Sequence, residues 1–336
     1  MVCQFAYDRM GHKMSLIEQL KTEAPFITWK AGIKLSEISH MKIGGKIAVF
    51  GQVKTTKKLI AAVKYCTENN LKYAVVGGLS NLIGADEGYD GVLIQDLTQE
   101  LKVETQNQAE GAETIIWASS GWRMSALVAE LNKRGLGGLE EMLSLPGTLG
   151  GAIYNNAHFQ DKLLSDYLVS IDYYDPQQDE LQNISAENAE FAYEHSIFQE
   201  KKWLIWGATL KLRPTDPQLA QERAIATAKW RLEKQPLECP SSGCIFQNVP
   251  NNSRLQELFP EFKDKALVSV GFLIDRAGLK GKRIGGLEIS AKHAAFIINP
   301  KRKGTRADLD ALVKLIKETL KEKYGVELQE EVFYLE

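Results

Sequence analysis

Residues 73–83 read Tyr73-Ala-Val-Val-Gly-Gly-Leu-Ser-Asn-Leu-Ile83, an apolar run that breaks into two glycines and a Ser-Asn pair. The run predicts a buried strand that ends where Gly77 and Gly78 free the backbone to turn and expose its N–H groups. Leu79 extends that row of amides, and Ser80 and Asn81 add side-chain donors. Together they suit a pyrophosphate better than a lone sugar hydroxyl. Just upstream, Leu59, Ile60, Val63 and Cys66 recur at helical spacing between Thr56 and Asn69, with Thr55 or Thr56 placed to cap the start. Earlier still, residues 40–50 are strand-like except at Gly44-Gly45, which permit a plain turn, a bulge or a close backbone approach. Strand, helix, strand and glycine turn make an α/β arrangement.

Downstream, residues 91–95 and 114–118 predict strands, and residues 122–134 an amphipathic helix carrying Leu127, Val128 and Leu131. A second glycine-rich stretch follows at 138–157. There Pro146-Gly147 and Gly150-Gly151 predict two tight turns around Thr148, more flexible points than a regular element tolerates. Two such loops roughly seventy residues apart suit a grip on opposite ends of one elongated nucleotide. Strands are expected at 167–174 and 203–212, after which Pro214 and Pro217 mark a boundary. A helix over about 218–234 opens the C-terminal part. It continues with a strand at 295–299, a helix over 306–323 with Leu309, Leu312, Val313, Ile316 and Leu320 on one face and Gly325 to end it, and an alternating strand at 326–335. The domain reading is an N-terminal extension (1–35), a first domain in two parts (36–98 and 99–214), and a second domain (215–336).

The whole chain narrows the classes. Its 336 residues allow two or three domains with cores of their own, and 41 basic against 43 acidic residues give a net charge of -2. That balance argues against a general binder of nucleic acid or membrane surface. No apolar run reaches the ~18 residues of a membrane span, and no signal-peptide core opens the chain, so it reads as cytoplasmic. Four cysteines, Cys3, Cys66, Cys239 and Cys244, are too scattered for a disulfide framework, and Cys239 and Cys244 lack a matching pair for zinc.

Five segments occur in the order of a known family: Gly-Gly-Leu-Ser-Asn-Leu (77–82), Leu-Pro-Gly-Thr-Leu-Gly-Gly-Ala (145–152), Ser-Gly-Cys-Ile-Phe-Gln-Asn (242–248), Ala-Gly-Leu-Lys-Gly (277–281) and Leu-Gln-Glu-Glu-Val (328–332). Over residues 36–336 the chain resembles the UDP-N-acetylenolpyruvoylglucosamine reductases, the MurB family. The resemblance implies a two-part FAD-binding domain of the vanillyl-alcohol-oxidase (PCMH) type, followed by a C-terminal α/β substrate domain. The connection between 212 and 231 is short, as in the subtype lacking a tyrosine-bearing loop. The implied chemistry has two halves: NADPH reduces bound FAD, and the flavin then passes a hydride to the enolpyruvoyl double bond, leaving an enolate-like species in need of a proton. The implied setting is peptidoglycan precursor synthesis. The implied partner is a small-molecule UDP-sugar, with no nucleic acid, no membrane insertion and a monomeric chain.

The resemblance also implies roles. Cofactor contacts fall on Ile43, Gly44, Gly45, Gly77, Gly78, Leu79, Ser80, Asn81, Pro146, Gly147, Thr148, Gly150 and Gly151, and substrate contacts on Lys234, Asn248 and Lys280. The proton donor maps to Cys244, where the family most often has Ser. A thiol, with an ordinary pKa of roughly 8.5, is a better acid than an alcohol. The carboxylate maps to Glu331. The family pattern Tyr-Arg-x-Ser-x-Phe aligns with Tyr193-Glu-His-Ser-Ile-Phe198, which puts Glu194 at the place of the substrate-polarising arginine. That exchange turns attraction for a substrate carboxylate into repulsion, with Lys280, Arg276 and Arg283 as substitute cations. It leaves two alternatives open: an FAD-dependent oxidoreductase with another substrate, and a flavin-binding relative without catalysis.

Overall fold

The computed structural model describes residues 15–105 and 113–336; Cys3 and the start of the N-terminal extension lie outside them. The chain forms two compact units, neither continuous in sequence. The first comprises residues up to Ile33, Ile47–Gly78 and Asp90–Trp230, and the second Lys34–Lys46, Leu79–Tyr89 and Arg231–Glu336. The expected boundary near 214 is therefore replaced by one at Trp230, inside the helix Pro217–Lys234. Two short excursions from the N-terminal half also belong to the second unit, because their partners are distant residues that no local pattern announces. Phe333–Leu335 pairs in parallel with Leu82–Gly84, and the Asn299 amide donates to the carbonyl of Met41 at 3.0 Å.

The first unit holds two sheets. In the smaller, the strands run Thr28–Lys30, Ile47–Val53, Tyr89–Asp96, Tyr73–Val76, the last pair parallel. Tyr73–Val76 is an edge strand, so its four residues are half-buried where the apolar run predicts full burial. The helix Thr56–Glu68 buries Leu59, Ala62, Val63 and Cys66 in one cluster with Val49, Val53, Val92 and Ile94. The larger sheet is antiparallel, with Leu204–Pro214 between Leu168–Asp175 and Thr114–Ser119. Its outer strands, Leu101–Thr105 and Glu180–Ser185, are too polar to announce themselves. The helix Met124–Lys133 lays Leu127, Val128 and Leu131 into the core of this sheet.

In the second unit a small antiparallel sheet is ordered Ser241–Cys244, Phe296–Ile298, Leu287–Ile289, Arg283–Ile284. Leu309, Leu312, Val313, Ile316 and Leu320 of the helix Arg306–Tyr324 join its core. Truncating one of the leucines or Ile316 to Ala would open a cavity at about 2–5 kcal/mol. Thr305 and Asp308 close a capping box at the start of this helix, and Gly325 ends it at φ +69°. The strand expected over 326–335 shrinks to Phe333–Leu335; the preceding residues form an irregular arm.

Candidate active site

The glycine turn after Tyr73–Val76 meets the second glycine loop directly. A Cβ built on Gly77 would lie 2.0 Å from Thr148 Oγ1, and one on Gly78 2.6 Å from Gly147 Cα. The two loops thus form one cradle inside the first unit, where the sequence spacing suggests opposite ends of a ligand. Gly147, at φ +106°, makes the turn. Gly150 and Gly151 do not make a second one: they belong to the helix Leu149–Tyr154, whose N-cap is Thr148, and Gly150 presses on Ser120, the carbonyl of which accepts its N–H at 2.8 Å. Side chains at 77 and 78 would drive the two loops apart, so the glycines let the backbones meet and leave main chain rather than side chains along this turn, the polarity an FAD pyrophosphate needs.

Leu79 adopts φ +52°, a left-handed backbone that costs a non-glycine residue roughly 1–3 kcal/mol. Its carbonyl accepts the N–H of His40 at 3.2 Å. Within the second unit Gly44 and Gly45 are a close backbone approach, since a Cβ on Gly45 would lie 2.2 Å from the Asp86 carbonyl oxygen. They line a cavity of ≈ 440 Å³ with Ile43, and Lys34, Lys42, Lys46, Arg302 and Lys303 stand around it against Asp86 and Glu87. That charge suits phosphate groups.

Cys244 ends the strand Ser241–Cys244 and faces Phe296 across the ladder, after a bulge at the left-handed Gly243. Beyond it the arm from residue 328 docks along the chain: Gln247 N–H donates to the Gln329 carbonyl at 3.0 Å and Glu331 N–H to the Ile245 carbonyl at 2.9 Å. The Asn81 amide donates to the Glu331 carbonyl at 3.0 Å. Asn81, expected on the phosphates, therefore spends a donor on the segment that carries Glu331. Glu330 fixes the same arm through its side chain, which pairs with Lys317 and accepts the Tyr334 hydroxyl. Burial, and then that carboxylate, push the Tyr334 phenol upward.

Arg231, missed in the sequence, is 6% exposed, and its Nε donates to Gln235 Oε1 at 2.9 Å. Burial lowers its pKa, and the nearby Cys244 works against that shift, which places a guanidinium within electrostatic reach of the sulfur. The substitute cations read from the sequence are otherwise engaged. Lys280 Nζ lies 2.6 Å from Asp275, Arg283 Nε 2.6 Å from Glu288, and Arg276 covers the Phe272 ring. Asn248 Oδ1 accepts the Val270 N–H at 3.1 Å, and Lys234 is exposed at the end of its helix.

Glu194 lies in the first unit, 8% exposed and at φ +53°. Its Oε1 is 2.8 Å from His158 Nδ1. The two are close but not aligned as a hydrogen bond. A carboxylate–histidine pair thus occupies the place read as an arginine. His158 had no signal in the sequence, because the two residues are 36 apart and share no element. His195, next in the chain, turns to Glu200 at 3.6 Å.

A model of FAD binding domains matches residues 47–183, and one described as UDP-N-acetylenolpyruvoylglucosamine reductase, C-terminal domain, matches residues 235–335. The UDP-N-acetylenolpyruvoylglucosamine reductase of Chlamydia trachomatis serovar A is 36% identical over 300 residues, 89% of this chain and 94% of its own. The chain belongs to the UDP-N-acetylenolpyruvoylglucosamine reductase family. The Listeria innocua reductase is 32% identical over 317 residues, 94% of this chain and 98% of its own. The crystal structure of the Thermus caldophilus reductase superposes with a TM-score of 0.71 at 26% identity, covering 93% of this chain and 100% of that one. As a member of this reductase family the chain is an FAD-dependent oxidoreductase, and the Gly77–Thr148 cradle fits that cofactor. Leu204–Pro214 runs into Pro217–Lys234 with only Thr215 and Asp216 between them, so no extra loop is inserted there. Among the described residues, no helix is long and apolar enough to cross a membrane, and no cluster of His, Cys, Asp or Glu is placed to hold a metal.

Proposed function

We propose that the chain reduces UDP-N-acetylenolpyruvoylglucosamine to UDP-N-acetylmuramate at the expense of NADPH, in the cytoplasmic synthesis of peptidoglycan precursors. The observation that carries the reading is the docking of the Glu331 arm onto the residues that follow Cys244, with Asn81 bonded to the same arm. Bound FAD supplies hydride transfer. Everything else falls to side chains. The Cys244 thiol gives its proton to the carbon left electron-rich by hydride addition, and the Arg231 guanidinium balances the thiolate that remains until solvent reprotonates it. Glu331 polarises the enolpyruvoyl group. Lys234, exposed at its helix end, meets the diphosphate as a point charge, and Asn248 and Lys280, tied to Val270 and Asp275, complete the substrate contacts. Ile43, Gly44 and Gly45, the cradle residues Gly77, Gly78, Pro146, Gly147 and Thr148, and Leu79 and Ser80 hold FAD.

Glu194 favours a second reading, an FAD-dependent oxidoreductase of another substrate. One assay separates them. The FAD-loaded protein should oxidise NADPH only when UDP-N-acetylenolpyruvoylglucosamine is present and yield a product heavier by two hydrogens. NADPH reduction of the flavin with no reoxidation by this sugar would leave the second reading standing.

A further inference from the structure

Gln95 and Asp96 end the strand Tyr89–Asp96, which pairs in parallel with Tyr73–Val76, Gln95 opposite Val76. Successive side chains of a strand leave on opposite faces, and these two reach the two glycine loops separately. The Gln95 amide donates to the Gly77 carbonyl at 3.0 Å, while its oxygen accepts the Gln52 amide at 2.8 Å. The carbonyl and the N–H of one trans peptide point in opposite directions. Holding the Gly77 carbonyl therefore aims the Gly78 N–H away from Gln95.

Asp96 reaches the other loop through Ser120. It is 4% exposed; its Oδ2 accepts the Ser120 hydroxyl at 2.5 Å and its Oδ1 the Thr98 N–H at 2.9 Å. The Thr98 hydroxyl in turn accepts the Gly121 N–H at 3.0 Å. A Cβ on Gly121 would lie 2.4 Å from Asp96 Oδ1, so only glycine lets the chain pass this close. The segment anchored in this way carries the second loop. The carbonyls of Ser120 and Trp122 accept the N–H groups of Gly150 and Leu149, both at 2.8 Å, and the Met124 N–H donates to the Gly147 carbonyl at 3.1 Å. Burial pushes the Asp96 carboxyl upward, against the pull of the Ser120 and Thr98 bonds. An apolar residue would escape that desolvation but would leave the Ser120 hydroxyl and the Thr98 N–H unpaired.

We propose that Gln95 and Asp96 are positioning residues of the FAD cradle, Gln95 setting the peptide plane between Gly77 and Gly78 and Asp96, through Ser120, setting the loop Gly147–Gly150. One strand end thus fixes both loops, and the backbone that meets the pyrophosphate is in place before the cofactor arrives. The inference rests on the reading of these loops as the FAD cradle.

Dilution of the FAD-loaded protein tests it, with released flavin read by its fluorescence. Gln95→Leu and Asp96→Ala should each raise the dissociation constant about tenfold or more, the scale of a buried group left unpaired. Asp96→Asn should stay within about threefold of the wild type, because its amide oxygen still accepts the Thr98 N–H and its amide N–H donates to the Ser120 hydroxyl. Ser120→Ala should match Asp96→Ala, and the two together should be no worse than either, whereas the effects of Gln95→Leu and Asp96→Ala should multiply. Release is measured without denaturant, where a variant that is only less stable stays folded and holds FAD as the wild type does. Should Asp96→Ala fail to fold, Ser120→Ala carries the same test. Wild-type affinity in Gln95→Leu or in Asp96→Ala, or a loss in Asp96→Asn as large as in Asp96→Ala, would overturn the proposal. Gly78→Ala, which strikes Gly147 directly, reports on the cradle itself. If it weakens FAD while the other variants do not, the cradle stands without these two residues; if no variant weakens FAD, both readings fall.

Discussion

The Cys244–Glu331 region and the Glu194–His158 region are built in opposite ways. In the second unit the backbone does the positioning: Glu331 is bonded through its amide to the residue after Cys244, and its carbonyl is held by Asn81. In the first unit two side chains from separate segments meet, and one of them sits on a left-handed backbone. In the first arrangement the printed contacts run through the main chain, so they do not depend on whether residue 244 is Cys or Ser. In the second, the acidic side chain stands where the resemblance implies an arginine, beside a partner that sequence order does not reveal.

Variants can break that contrast. The largest effect is expected at Cys244. Cys244→Ala should leave flavin reduction by NADPH intact and slow its reoxidation by the sugar by roughly 10²–10⁴, the scale of general acid catalysis, while Cys244→Ser retains much more. Stopped-flow absorbance of the flavin reads both halves; equal reoxidation in the Ala and wild-type chains would remove the thiol from the reaction. Next comes the cradle. Gly78→Ala drives a methyl into Gly147, a backbone atom that cannot rotate away. Overpacking of about 1–3 kcal/mol should appear as lower flavin content at purification and a lower Tm, and full FAD occupancy in this variant would contradict the direct contact of the two loops.

Glu330 sharpens the same contrast within the second unit. Glu330→Ala frees the arm from Lys317 and Tyr334 and should reduce kcat several-fold with little change in KM, since ground-state contacts are untouched. Glu330→Pro should restore part of it: the arm's bonds use the Gln329 carbonyl and the Glu331 amide, so a proline ring removes no donor in use. Loss equal to that of the Ala variant would show that the side chain acts by charge rather than by stiffening.

The smallest effect is a pH dependence of stability. Burial, reinforced by Lys280, pushes the His293 imidazole down from its ordinary value. As pH falls through about 6.5 the unfolded chain binds this proton before the folded one does, so stability declines from there and the loss is complete below the folded value. His293→Gln should flatten the decline in urea midpoint between pH 7.5 and 5.5 by the equivalent of one proton; an identical slope would mean another group carries it.

Much of this was legible in the residues, for physical reasons. The helices over Thr56–Glu68 and Arg306–Tyr324 are written in apolar spacing and caps, and the glycine pairs announce places where backbones meet. The discontinuous units were not, because they depend on Leu82–Gly84 finding Phe333–Leu335 and Asn299 finding Met41, pairings between residues more than two hundred apart. Gly150 and Gly151 misled because glycine signals both turns and tight packing, and here the carbonyl of Ser120 decides for packing. Arg231 and His158 stayed hidden for a similar reason: each is defined by what lies beside it.

The central claim is that Cys244, set against the Glu331 arm, protonates the reduced sugar. It meets its most direct test in a single turnover: protein reduced with one equivalent of NADPH, mixed without oxygen with UDP-N-acetylenolpyruvoylglucosamine, followed at the flavin absorbance in wild-type and Cys244→Ala chains. Rapid, stoichiometric reoxidation in the wild type and a rate at least about a hundredfold lower in the variant are the predicted result. A wild-type flavin that stays reduced, or a variant that reoxidises as fast, would contradict it.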